Sequence, residues 1–142
     1  MSVPVLTTNP EITNINSAVV ELGNNEYRQV TIASGQDLLA GTVLGKITSS
    51  GKYVAVDSTA TDGSQLARMI LSADCDATDA DTFAMAIITG DVDAGLLLFQ
   101  NADSLDTVPA SPSGQPDSYL DQLRDYTIFA ITTDQLYIED NQ

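Results

Sequence analysis

The chain has no histidine, no tryptophan, one cysteine and only five basic residues among 142. Without histidine, neither a Ser-His-Asp nor a Cys-His site can be built, and the commonest transition-metal ligand is missing. The single Cys75 cannot form an intrachain disulfide, which fits assembly in a reducing cytoplasm. Its neighbours Asp74 and Asp76 disfavour the thiolate, so a nucleophilic role is not expected. Scarce aromatics, at 6 %, leave a core of Ala, Val, Ile and Leu that buries little area per residue. Partner contacts would then supply part of the stability. The longest apolar runs, Ala84 to Ile88 and Leu96 to Phe99, are far short of a membrane span. The N-terminus has neither the basic nor the apolar region of a secretory signal, so a soluble chain is expected.

What is abundant is acid. Twenty carboxylates against five bases leave a net charge of −15, and ten acids but no base lie between Arg68 and Arg124. Such a surface repels nucleic-acid phosphates and anionic membranes, so neither is expected as a partner. The acidic run Asp74-Cys75-Asp76-Ala77-Thr78-Asp79-Ala80-Asp81 fails as a calcium loop. Counted from Asp74, the sixth position is Asp79 rather than Gly, and the twelfth is Met85 rather than Glu. It reads as a solvated turn region, with weak cation binding as the other reading. Gly41 to Lys46 lacks the phosphate-loop spacing, and Asp62-Gly63-Ser64-Gln65 lacks the glycine bracket of a nucleophile elbow. No catalytic residue, cofactor or metal ligand is assigned.

The length indicates one domain with a tail. Residues 1–26 carry Pro4, Pro10 and several Asn but no base. Their apolar residues Val3, Val5, Leu6, Ile12, Ile15, Val19 and Val20 keep neither a helical nor a strand period. Two readings stand: a disordered terminus, or an arm that orders on a partner by adding a strand to its sheet. Fully extended, such an arm reaches roughly 80 Å.

From residue 27 to 142 the pattern is β-rich. Gln29 to Ala33 reads as a strand, Ser34 to Asp37 as a turn, and Thr42 to Thr48 as a strand. Ser49-Ser50-Gly51 makes a hairpin, with Gly51 suited to positive φ. The return strand Lys52 to Val56 sets Tyr53 and Ala55 on one face and Val54 and Val56 on the other. Leu66 to Leu71 is expected to be a strand, Ser72 to Asp81 an acidic turn region, and Phe83 to Thr89 a strand buried on both faces. Gly90-Asp91 signals a turn, and Val92 to Phe99 continues with a bend at Gly95. Residues 101–116 form a Pro-rich loop. A two-turn helix capped by Asp117 follows, with Tyr119, Leu120, Leu123 and Tyr126 as its apolar stripe. Thr127 to Thr132 is a last core strand, beside which Leu136-Tyr137-Ile138 can pair back.

The ordered series is similar to the lambda-type bacteriophage head decoration family (capsid decoration protein D). It runs Ser34-Gly35-Gln36, Gly41-Thr42-Val43-Leu44-Gly45-Lys46-Ile47-Thr48, Gly51-Lys52-Tyr53-Val54 and Asp62-Gly63-Ser64-Gln65. Asp74 to Thr78, Phe83 to Ile88, Gly90-Asp91-Val92, Leu120 to Arg124 and Ile128 to Ile131 follow in order, so the resemblance spans residues 27–132. It leads to the expectation of a glycine before the last strand, where this chain has Asp125-Tyr126-Thr127. The resemblance implies a mainly β fold with one or two short helices, a small, partly open, tulip-like β barrel with large loops. It implies a non-enzymatic virion protein made in the host cytoplasm. That protein would sit as a homotrimer on the outer surface of the expanded head, held to the major capsid protein by the arm of residues 1–26, and would stabilise the head against packaged DNA. Alternatives are another virion β protein, a spike or tail component, and a β-barrel carbohydrate hydrolase. The hydrolase would need two carboxylates about 5 to 10 Å apart.

Overall fold

A computed structural model describes residues 25–112 and 117–132. The strands are β1 (Glu26–Ile32), β2 (Gln36–Leu38), β3 (Val43–Lys46), β4 (Tyr53–Ala55), β5 (Met69–Leu71), β6 (Cys75–Ala77), β7 (Thr82–Asp93) and β8 (Ile128–Ile131). The helix α1 is Tyr119–Asp125, and a 3-10 turn covers Ala94–Leu96.

The main sheet runs β1-β4-β3-β5-β7-β8, and a further β1–β7 pairing closes the first five strands into a barrel. The β1–β7 seam is the long one, antiparallel from Glu26↔Thr89 to Ile32↔Thr82. The β1–β4 seam is joined at the single pair Ile32↔Tyr53. Beyond that pair the Gln36 side-chain oxygen accepts the Ala55 N–H at 3.2 Å, in place of a ladder partner. β8 adds outside the barrel, parallel to the end of β7, from Gly90↔Ile128 to Asp93↔Ile131.

Alternation along the strands builds two cores. Val30, Ile32, Leu44, Tyr53, Met69, Leu71 and Ala86 face inward and fill the barrel. Val43, Ile70 and Ile87, aligned across β3, β5 and β7, face outward. Tyr119 and Leu123 of α1, with Ile128 of β8, cover that outer row. Val56 joins this outer core while Tyr53 belongs to the barrel, so the two faces expected of the return strand are the ones observed.

Local chemistry explains the turns. Gly51 sits at φ +75° in the β3–β4 hairpin. Gly45 has another reason to be glycine: a Cβ there would overlap the Ser64 carbonyl, so the 62–65 loop lies directly on β3.

Several elements differ from expectation. The region Ser72 to Asp81 contains β6, which pairs with β2 as Gln36↔Ala77, Asp37↔Asp76 and Leu38↔Cys75. Gln36 and Asp37 therefore belong to a strand, and only Ser34-Gly35 turns. The strand expected from Leu66 is confined to Met69–Leu71. β7 runs unbroken through Gly90-Asp91, because β8 pairs alongside and holds that stretch extended. Phe83 and Met85 are 70 % and 46 % exposed, so β7 is not buried on both faces; α1 covers the outer row only from Ile87 onward. Ser118, not Asp117, caps α1, and the expected stripe residue Tyr126 lies past the helix end, 44 % exposed. Leu136-Tyr137-Ile138 lies outside the described residues.

Candidate functional site

The residue types with reactive potential are spent on structure. Cys75 is buried in β6, and burial, reinforced by Asp76 and Asp37, pushes its thiol up. The Ser64 hydroxyl donates to Asp62 Oδ1 at 2.6 Å, and the Ser64 N–H donates to the same oxygen at 3.0 Å. Those two bonds hold the Asp62 carboxyl below its ordinary value. The serine serves a loop turn with no base beside it.

The acidic segment 74–81 is likewise a set of pins. Asp74 accepts the Ala40 N–H at 2.8 Å, and Asp76 accepts the hydroxyl and N–H of Thr78. Asp81 accepts the Ser34 N–H and pairs with Lys52 at 2.5 Å. The Thr78 bonds lower the Asp76 carboxyl, and Lys52 with Ser34 lowers Asp81. Among the described residues no group of three or more Cys, Asp or Glu is placed to hold a metal. No helix among them is long and apolar enough to cross a membrane.

What the described residues offer is surface. Phe83 and Met85 stand outward on β7, opposite Thr31 and Gln29 of β1, with Tyr27 beyond them at 41 % exposure. Apolar residues of this size gathered on one exposed sheet face mark a contact region. Among the described residues no strand pairs with the other edge of Glu26 to Thr31, because β4 meets β1 only at Ile32. β1 therefore carries an apolar face beside an edge that no described strand covers. A signal for Phe83 and Met85 is in the sequence: they alternate with Ala84 and Ala86, and the small residues fit a narrow barrel interior.

A second apolar surface lies near the covered end of the barrel. Leu39 and Leu98 are exposed there, and with Leu38, Thr42, Ala55 and Phe99 they line a groove of about 300 Å³. The expected contact residues Val3, Val5, Leu6, Ile12, Ile15, Val19 and Val20 all lie outside the described residues. The first described residue, Asn25, leads straight into β1, which begins at Glu26.

A small β barrel with pinned loops and exposed apolar faces has the features of a binding or structural protein. A family model for the bacteriophage lambda head decoration protein D matches residues 14–109, and the chain belongs to that family. It is a family of structural capsid proteins rather than of enzymes, and membership implies a place on a phage virion. The match begins twelve residues before β1 and ends before α1 and β8. No curated protein matches the chain.

Proposed function

We propose that this protein binds the outer surface of the expanded phage head as a homotrimer and clamps neighbouring major capsid subunits against the pressure of packaged DNA. Residues 1–26 are the capsid-binding arm, with Val3, Val5, Leu6, Ile12, Ile15, Val19 and Val20 as its apolar contacts. The observation that carries this reading is family membership over a match that begins at residue 14, inside the arm. In sequence the arm runs directly into β1, whose outer side from Glu26 to Thr31 meets no described strand, and this supports strand pairing as its binding mode. Three arms on one trimer would act together, so each contact can be weak alone. Shell expansion would expose the strands that the arms pair with.

Co-sedimentation with expanded, DNA-free shells of the encoding phage tests this. The full chain is expected to pellet, and a chain lacking residues 1–25 to remain in the supernatant. Pelleting of both would remove the arm from the account, and pelleting of neither would remove head binding itself.

A further inference from the structure

The barrel has two unlike ends. At one, β2 and β6 lie against the interior, with Leu38, Cys75 and Ala77 packed on the barrel core. At the other is a cavity of about 330 Å³ whose apolar wall is Tyr53, Met69, Ile88 and Tyr126. Its remaining lining residues are Arg28, Lys46 and Arg68. Strand alternation explains how cations come there. Arg28 shares the inward register of Val30 and Ile32, and Lys46 that of Leu44, so both are inward positions at the mouth of the barrel.

This concentration is notable because the chain has only five bases. The other two are paired, Lys52 with Asp81 at 2.5 Å and Arg124 with Asp121 at 3.8 Å. Arg28, Lys46 and Arg68 pair with no carboxylate among the described residues, in a chain of twenty acids. Arg68 instead lies 5.5 Å from the centre of the Tyr126 ring. Three like charges lining one small cavity repel one another, and an anionic group placed between them relieves that.

We propose that the cavity is the docking site of the chain's own segment Leu136-Tyr137-Ile138-Glu139-Asp140. The segment places three consecutive apolar residues before two adjacent carboxylates. The cavity places an apolar wall beside three unpaired cations. Reach is sufficient: Thr132 lies six positions after Tyr126, in the cavity wall, and Glu139 seven positions after Thr132. At no more than about 3.6 Å per residue, the return span matches the outgoing one. The arm's acids are Glu11, Glu21 and Glu26, the last held in β1 and none beside a second carboxylate, so the arm fits three cations less well.

Carbodiimide cross-linking of the full chain, which joins an amine and a carboxylate already in contact, tests this by peptide mass spectrometry. The Lys52–Asp81 link is the internal control. The expected result is a link from Lys46 to Glu139 or Asp140 in the single-chain species. Its yield should fall several-fold in an Arg28→Gln/Arg68→Gln double variant that keeps the Lys52–Asp81 link. Three results overturn the proposal: the control link without any Lys46 link, a Lys46 link to Glu11 or Glu21, or a Lys46 link to Glu139 or Asp140 found only in covalent dimers.

Discussion

Single residues in this chain are placed under two kinds of constraint, hydrogen-bonded carboxylates and left-handed backbone at Asn101, Ala102 and Thr127. Asp57, held by Thr59 and Asn101, and Asp62, held by Ser64, both sit below the ordinary carboxylate value of 3.8. A depressed folded-state value means the unfolded chain takes up protons first as the pH falls. The stability these bonds confer is therefore complete above 3.8 and is lost as the pH drops through the lower folded values. Asp62→Asn keeps an acceptor for Ser64 but removes the charge. Thermal melts of wild type and Asp62→Asn should differ near about pH 6 and converge toward about pH 2. The gap is small, because Asp62 is exposed. A gap that widens on acidification would contradict the assignment. The β-branched residue among the left-handed positions is Thr127, at φ +62°, just before the last strand where the resemblance called for glycine. Its hydroxyl lies 2.6 Å from that of Thr89, and its carbonyl accepts the Gly90 N–H at 3.0 Å, so β7 holds it in place. Asparagine tolerates the left-handed region, so Thr127→Asn should raise stability by about 1 kcal/mol in denaturant unfolding.

At the scale of elements, α1 shows how a seven-residue helix, too short to persist alone, is fixed. Tyr119 and Leu123 are fully buried on the outer barrel row, and Phe99 stacks on Tyr119 with ring centroids 5.7 Å apart. Between them Gln122 is buried with both ends used. Its Oε1 accepts the Ala67 N–H at 2.8 Å, and its Nε2 donates to the Asp117 carbonyl at 3.0 Å. Gln122→Leu keeps the volume but strands the buried Ala67 N–H. It should cost about 1–3 kcal/mol in unfolding free energy; a loss within error would mean that water replaces the side chain. The helix itself was legible from Tyr119 and Leu123 at helical spacing. Gln122 was not, since a polar residue one step off an apolar stripe looks solvent-facing until the Ala67 loop is laid against it. β2 and β6 were hidden for a related reason. Three-residue strands rich in Asp and Gln carry no hydrophobic period, and only their mutual pairing makes them strands. Phe83 and Met85 look like core residues by size alone, although their alternation with alanine encodes which face is inside.

For the whole molecule, the order of strands, the hairpin and the family were readable along the chain, because each rests on local patterns in sequence. Barrel closure was not. It depends on β1 meeting β7 at sequence separations of 50 residues and upward, as at Ile32↔Thr82, and no local signal specifies that seam. The surface follows the same division. A net charge of −15 was evident from composition, but its counterpart, three bases at one barrel mouth with no carboxylate partner among the described residues, emerges only when β1, β3 and the loop before β5 converge. The charge also bears on assembly. Three such chains repel one another, so a trimer would have to be held by apolar faces or by the shell beneath it. The central claim is that the protein decorates the outside of the head as a trimer tied down by its N-terminal arms. Cryo-electron microscopy of DNA-filled heads assembled with this protein tests it most directly. The account predicts three-lobed density outside the shell at three-fold positions, each lobe fitted by this barrel, with chain continuing from Glu26 into a capsid-protein sheet. Bare three-fold positions, with the barrel found on the tail or absent from the particle, would contradict it.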